Sequence, residues 1–324
     1  MTMRCYCAPM EGVTGCRYRQ THSRFFTGVD KYYTPFLSPS QYHVFTRREK
    51  REIDPERNRG MDVVPQLLTK NAGDFLWAAN ELFAMGYREV NLNLGCPSGT
   101  VVAKGKGSGF LRDLEGLERF LDQVYAGAEG AVSVKTRLGV EDPEEFWPLL
   151  ELYNRYPICE LTVHLRVRSD YYRRPARREG LGRILRESRN PVCCNGDLNG
   201  PADLAALKGD CPAVERVMLG RGLIADPGLA ARLKGGPATE RGVLKDFHDA
   251  LYRGYAQDFG SDRNAMLRMK EVWCYLEGLF DGGERIWKKL RRTGDPREYE
   301  DLVERVFGEL ALRSQAVPCW QVTP

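Results

Sequence analysis

Eight short β-rich runs of hydrophobic and polar residues punctuate the first two-thirds of the chain. They are Arg4–Pro9, Lys31–Phe36, Asp62–Leu68, Glu89–Gly95, Ala131–Arg137, Glu160–Arg166, Pro191–Asp197 and Arg216–Gly222. In the fourth, Val90, Leu92 and Leu94 alternate with polar residues, the period of a β-strand. Successive runs start 25 to 31 residues apart, the length of a strand plus a crossover helix. The exception is a 42-residue step between the fourth and fifth runs. Helical periodicity fills several intervals. Asp74–Met85 carries Phe75, Leu76, Ala79, Leu82 and Phe83 on one face and stops at Gly86; Leu114–Tyr125 carries Leu117, Phe120, Leu121 and Val124.

Repeated strand and helix units predict a parallel (β/α)8 TIM barrel, with a doubly wound open sheet as the competing α/β fold. The placement of polar residues favours the barrel. Gln66, Asn93, Lys135, His164, Asn195 and Arg221 all fall near the C-terminal ends of predicted strands, the catalytic face of such barrels. Beyond Gly235 the pattern changes to helices over Asp246–Phe259, Arg263–Leu279 and Asp295–Leu312, with no strand expected between them. The chain therefore reads as a barrel domain over 1–235, a C-terminal helical-bundle domain over 240–314 joined through Gly235-Gly236-Pro237, and a loose tail over 315–324.

Bulk composition narrows the class further. The 324 residues are 42% hydrophobic and 28% charged, as in an ordinary soluble globular protein. No long apolar run or leader pattern appears, which predicts a cytoplasmic protein without a membrane span. Ten cysteines without paired CxxC spacing read as reduced thiols and no metal site. The formal net charge of +4 is mild, but its distribution is not. Arg166, Arg168, Arg173, Arg174, Arg177 and Arg178 surround a single acid, Asp170, with Tyr171 and Tyr172 among them; Lys288, Lys289, Arg291 and Arg292 form a second cluster. Arginine interleaved with aromatics suits a phosphate backbone and unstacked bases, although a solvated face accounts for either cluster equally well.

The chemistry concentrates at predicted strand ends. Gly95 and Pro97 stop the fourth run abruptly, placing Asn93 and Cys96 at its mouth ahead of a small and basic loop, Ser98 to Gly109. A thiol beneath a mobile loop is placed like a catalytic group; a buried core cysteine is the competing reading. Lys135 can be a Schiff-base nucleophile, a substrate clamp, a cation beside an electron-rich ring or a lysine reaching the barrel rim. His164 can be a general acid, a neutral donor or a satisfied core histidine. Asn195-Gly196-Asp197 and Leu219-Gly220-Arg221-Gly222 end the last two runs, where barrels commonly cradle a phosphate. Gly105-Lys106-Gly107-Ser108-Gly109 follows no strand directly, so it reads as lid flexibility rather than a nucleotide loop.

In order along the chain, Ala8-Pro9-Met10-Glu11-Gly12-Val13-Thr14, Gln66, Asn91-Leu92-Asn93-Leu94-Gly95-Cys96-Pro97, Val134-Lys135-Thr136-Arg137-Leu138-Gly139, His164, Asn195-Gly196-Asp197 and Gly220-Arg221-Gly222 resemble the dihydrouridine synthases, over roughly 4 to 235. The helical tail, with Arg268-Met269-Lys270, is similar more loosely to that family's RNA-binding domain. The resemblance implies an FMN enzyme that takes electrons from NADPH and reduces a uridine of tRNA, with hydride passing to C6 and Cys96 giving a proton to C5. It implies flavin contacts by Pro9, Met10, Gln66, Lys135 and His164, and a phosphate end at Asn195, Asp197, Gly220 and Arg221. Asn93 would orient the base, while Arg166, Arg173, Arg174, Arg268, Lys270, Lys288 and Lys289 would hold the RNA, one RNA to a monomer. Two positions depart from the family pattern: Leu165-Arg166-Val167 stands where Gly-Arg-Thr is usual after the histidine, and Val102 where asparagine is frequent. Competing functions are an FMN barrel acting on a free pyrimidine-like molecule, a relative acting on ribosomal RNA, a Schiff-base aldolase using Lys135, and an RNA-binding module on a dead barrel.

Overall fold

A computed structural model describes residues 3–318. Its main sheet contains β1 (Arg4–Cys7), β2 (Lys31–Tyr33), β3 (Val63–Val64), β4 (Gln66–Leu67), β5 (Glu89–Leu94), β6 (Ala131–Arg137), β7 (Leu161–His164), β8 (Val192–Asn195) and β9 (Arg216–Leu219). All pairings are parallel and the order is β3-β2-β1-β9-β8-β7-β6-β5-β4. The two outer members, β3 and β4, are consecutive and separated only by Pro65. Proline has no N–H to give a ladder, so one physical strand is broken in two. Its first half pairs with β2 and its second with β5, while the Pro65 carbonyl still accepts from the Asn91 N–H at 2.8 Å. The sheet thus closes on itself at eight strand positions, matching the eight predicted runs and the TIM barrel.

Register fixes what each strand shows to the lumen. Gln66, Asn91 and Ser133 share one level; Asn93, Lys135, Thr162 and Cys193 share the next; Arg137, His164, Asn195 and Met218 share the last. Because side chains alternate faces, the buried Val90, Leu92 and Leu94 point to the opposite side, toward the helix layer. Over β4 to β8 the barrel is therefore apolar outside and polar within. Tyr6, Ala8, Tyr33, Val64, Cys193 and Met218 fill the remaining interior.

At the opposite, N-terminal end, Glu160 closes the floor. It accepts from the Tyr6 hydroxyl at 2.8 Å and the Tyr33 hydroxyl at 3.0 Å, with Lys31 and Arg216 at 3.9 and 3.7 Å. Burial pushes its carboxyl above the ordinary value while Lys31 pulls it back.

The helices start a little earlier or end a little later than their periodicity predicts. The first spans Ala72–Ala84, capped by Asn71 accepting from the Asp74 N–H at 2.9 Å, and the second Leu114–Gly127, capped by Asp113. Packing divides the chain into two compact units. One holds the barrel strands; the other comprises Met10–Val29, Leu198–Leu204 and the chain from Leu219 onward. This boundary differs from the expected break at 235, because Val13, Tyr18, Phe26, Ile224 and Ala225 bury their side chains in the core of the second unit.

That unit contains helices Arg241–Phe259, Asp262–Leu276, Glu284–Arg292 and Pro296–Glu309. The third helix is missed by the sequence reading, and so is a two-stranded antiparallel sheet, β10 (Phe280–Asp281) with β11 (Ala311–Leu312), where no strand was expected. Trp273 lies at the centre, its indole N–H donating to the Tyr299 hydroxyl at 3.0 Å; that hydroxyl in turn meets His248 Nε2 at 2.8 Å. Of the expected tail, Ala316 is buried in this core and the Val317 N–H bonds Gly278, so the chain is packed there; residues 319–324 lie outside the described residues. Among the described residues no helix is long and apolar enough to cross a membrane.

Replacing Glu160 by Ala removes the shared buried acceptor of the Tyr6 and Tyr33 hydroxyls, while Lys31 keeps Glu89 at 2.5 Å. A loss of about 1–3 kcal/mol is expected in urea unfolding, and a loss below about 0.5 kcal/mol would show that the floor network is incidental.

Candidate active site at the barrel mouth

Asn93 lies near the C-terminal end of β5 and turns its side chain back on the chain that follows. Its Oδ1 accepts from the Gly95 N–H at 3.0 Å and the Cys96 N–H at 2.6 Å. Short amide side chains do this readily, forming an Asx turn. Asn93 is held by its neighbours: its Nδ2 donates to Gln66 Oε1 at 2.7 Å, Gln66 Nε2 donates to Asn91 Oδ1 at 2.7 Å, and Asn91 Nδ2 donates to Ser133 Oγ at 2.8 Å. This ladder runs across three strands and ends on the backbone of Cys96. Gln66 and Asn93, expected to touch cofactor and base, have their amide oxygens engaged in positioning the cysteine.

The other side of Cys96 is fixed as firmly. Its carbonyl accepts from the Ser108 N–H at 3.0 Å and the Ser108 hydroxyl at 2.8 Å. Arg137, fully buried, donates from Nε to the Gly95 carbonyl at 2.6 Å and from Nη1 to the carbonyls of Val167 and Tyr171. Its guanidinium also lies 5.3 Å from the Tyr172 ring centroid. The expected mobile lid is instead a short helix, Gly99–Val102, followed by a 3-10 turn over Gly107–Arg112. Gly107 has φ +57°, and a Cβ there would sit 2.8 Å from the Cys96 carbonyl oxygen. Its glycine permits close approach rather than flexibility. The Cys96 residue is half-buried above this frame.

Lys135 on β6 is in register with Asn93 and donates to Asn195 Oδ1 at 3.1 Å. Asn195 is fixed in turn by donating from Nδ2 to the Met218 carbonyl at 2.8 Å. Burial, reinforced by the Arg137 charge, pulls the Lys135 ammonium from 10.5 to about 7. His164 Nε2 lies 3.0 Å from Arg166 Nη1. A guanidinium only donates, so Nε2 accepts, and His164 is neutral with its proton on Nδ1.

Arg166 is where the structure corrects the sequence reading most sharply. It was expected on the surface among the RNA contacts, but its side chain is 1% exposed. Besides His164 it donates to the Arg174 carbonyl at 2.6 Å and to Asp197 Oδ2 at 2.5 Å. Asp197 also accepts from the Ala176 N–H at 2.8 Å. Its carboxylate is thus occupied by a guanidinium and a backbone amide. Gly196 makes the turn between Asn195 and Asp197 with φ +135°, and a Cβ there would lie 2.9 Å from Ala176. Farther along, buried Asp170 accepts from the Val167 N–H and pairs with Arg177 at 2.8 Å and Arg174 at 3.7 Å. Arg173 and Arg174 stay exposed.

Remaining candidates separate by unit. Pro9 is half-buried at the end of β1 in the barrel unit. Met10, Gly220 and Arg221 belong to the other unit. There the Met10 carbonyl anchors a turn through Val13 and Thr14, and Gly220 precedes the short helix Arg221–Ala225. Arg268 donates to the Gly12 carbonyl and pairs with Glu271 at 2.6 Å; Lys270 donates to the Thr293 carbonyl at the end of the Glu284–Arg292 helix. Both are tied into that unit rather than displayed to a partner. Lys288 and Lys289 are exposed on the same helix. Sequence reasoning assigned no role to Ser108, Arg137, Asn91 or Ser133. The polar positions alternating with Val90, Leu92 and Leu94 were the available signal for the lumen residues; Ser108 had none.

A family model described as Dihydrouridine synthase matches residues 6–294. A protein of Ralstonia nicotianae named tRNA-dihydrouridine(16) synthase is 28% identical over 324 residues, covering 95% of this chain and 97% of its own. One of the same name from Cupriavidus necator is 29% identical, covering 94% of this chain and 98% of its own. A probable tRNA-dihydrouridine synthase 1 of Synechocystis is 30% identical over 70% of this chain and 63% of its own.

Two measurements probe this frame. Between about 7 and 10.5 the unfolded chain takes up a proton that folded Lys135 refuses, so this group makes stability rise with pH across that window. In ligand-free protein, Lys135→Met is expected to gain most stability below about 7 and least near 10.5; unfolding midpoints that stay parallel to wild type across the window would refute a lysine that folding discharges. Ser108→Ala removes one of the two donors to the Cys96 carbonyl. A loss of about 1 kcal/mol in stability is expected, with a larger fall in kcat than change in KM.

Proposed function

This chain belongs to the dihydrouridine synthase family, and on that premise we propose that it reduces the C5=C6 bond of a uridine in tRNA to 5,6-dihydrouridine, with FMN at the barrel mouth and NADPH as the electron source. The observation that carries this reading is the fixed placement of Cys96 at the end of β5, one strand from Lys135. The donor set suits FMN: Lys135 Nζ, the Nδ1–H of neutral His164 and the turn at Gly196 make a mouth rich in donors for an acceptor-rich ring carrying a phosphate. Pro9, Gln66, Asn195 and Asp197 extend the proposed flavin site within the barrel unit, with Asp197 acting by holding Arg166; for Met10, Gly220 and Arg221, of the other unit, flavin contact is what the family resemblance implies.

Bound FMN supplies a hydride to C6 of the uracil. The Cys96 thiol gives its proton to C5, and the thiolate regains one from water, so two electrons and two hydrogens are added across the double bond. Free thiols titrate near ~8.5, so a cysteine can hold its proton at neutral pH and still release it to a developing carbanion. Asn93 serves this step through the Cys96 backbone. Lys135, held by Asn195, presents its amine to the proposed ring, where negative charge on a bound flavin would draw a proton to it.

For the uridine to arrive it must leave its stack, at a cost of a few kcal/mol that phosphate contacts offset. Exposed Arg173 and Arg174 on the rim, and Lys288 and Lys289 on their helix, suit that role. Arg166, Arg268 and Lys270 support it from inside their own units. We take the protein as a cytoplasmic monomer acting on one tRNA, with position 16, named for two of its relatives, as the first to assay.

Purified protein is expected to show a flavin spectrum and, with NADPH and unmodified tRNA, to yield dihydrouridine by mass spectrometry. Cys96→Ala should keep the spectrum and lower the rate by about 10²–10⁴. Flavin without RNA reduction would favour a free pyrimidine as substrate; colourless protein would sink the reading.

A further inference from the structure

Between β2 and β3 the chain makes an excursion that nothing above uses. Leu37 bridges to Leu67 at the end of β4, so the segment beyond it emerges on the barrel face that carries Cys96. There Tyr42 is 78% exposed and Val44 61%, large side chains two residues apart that are both left in solvent. The loop that carries them is built, not loose. The His43 N–H bonds the Ser40 carbonyl at 2.9 Å, and His43 takes a left-handed φ of 51°. Its ring lies flat on Trp77, centroids 5.0 Å apart and planes 5° from parallel, and pairs with Asp74 at 3.5 Å; Phe45 packs on the same indole at 4.8 Å. The structure thus anchors both sides of Tyr42 and Val44 while leaving these two outside.

Positive charge follows at once. The helix Arg47–Glu52 opens with a capping box in which Glu49 turns back onto the Thr46 and Ser38 N–H groups. Arg47 and Lys50 are exposed and have no ion pair among the described residues. Lys70, just after β4, is likewise exposed and unpaired there, and its ammonium lies beside Gly105 in the loop that follows Cys96.

We propose that Tyr42 with Arg47, Lys50 and Lys70 forms a binding edge for single-stranded RNA on the barrel itself, the tyrosine stacking an unpaired base and the cations holding flanking phosphates. This rests on the tRNA reading above and adds a surface to it. An exposed aromatic beside unpaired cations is the combination that binds unstacked nucleic acid: the ring supplies sequence-tolerant stacking, and the charges release counterions. An apolar protein face alone would match the pair and leave the three cations unused.

The test uses full-length protein and unmodified tRNA transcript. Wild type, Tyr42→Ala, Tyr42→Phe and Arg47→Ala/Lys50→Ala/Lys70→Ala are compared by filter binding over a salt series, by KM for tRNA and by urea midpoint. Tyr42→Ala is expected to weaken binding about tenfold at every salt concentration while Tyr42→Phe keeps it. The triple variant is expected to lower the slope of log affinity against log salt by about 2. Unchanged affinity and slope in variants with normal midpoints would overturn the proposal, as would loss of binding in Tyr42→Phe, and would leave the apolar pair to a protein partner. Wild type that neither binds nor reduces tRNA would instead overturn the function on which the proposal rests.

Discussion

Everything at the mouth of this molecule depends on the barrel being closed, and closure passes through a residue that cannot donate a backbone hydrogen bond. Pro65 splits one strand into β3 and β4, yet its carbonyl accepts from Asn91 and joins the last strand pair. Parallel strands in a closed ring must shear into levels, and those levels bring Asn93, Lys135 and Thr162 to one height and Arg137, His164 and Asn195 to the next. A side chain in the wrong register would face the helices instead. The chemistry of the site is therefore a consequence of pairing, before any loop is considered.

Within that ring, most polar groups act on other polar groups. The amide ladder from Ser133 to Asn93 ends on the Cys96 N–H; Ser108 takes the carbonyl on the other side; Arg137 holds Gly95. Arg166 links His164 to Asp197 and fixes the histidine's tautomer. Buried polar groups of this kind must be fully partnered, and once partnered they make the geometry rigid. Few side chains remain for direct contact with a ligand, among them the thiol, Lys135 and the exposed cations of the rim.

The fold was legible because its signal is periodic. Eight runs at near-constant spacing, interrupted where the loop after Cys96 intervenes, are what eight barrel positions require. The helix Glu284–Arg292 escaped because Ile286, Trp287 and Leu290 are its only buried residues among dense charge, which reads as a solvated stretch. The pairing of β10 with β11 escaped because two-residue strands carry no pattern. At the site, residue type placed Cys96, Lys135 and His164 at or near strand ends, where they lie, but it could not distinguish a group that touches a ligand from one that holds its neighbour. Arg166 shows why. Charge in a sequence implies water, yet Asp197 and the Arg174 carbonyl provide enough partners for this guanidinium to be buried. Asp170 likewise draws Arg177 inward, so the arginine-rich segment offers solvent fewer cations than its composition suggests.

With its N–H and its carbonyl both anchored, Cys96 can move its sulfur only by turning about a single bond, Cα–Cβ. The sulfur then sweeps an arc of a few ångströms and no more. An enzyme with so short a reach cannot search for its target atom; the target must be delivered to it. The selection of one nucleotide over its neighbours is thus passed outward, from the reacting centre to the surfaces that grip the polymer, and the centre itself is left free to be indifferent to sequence.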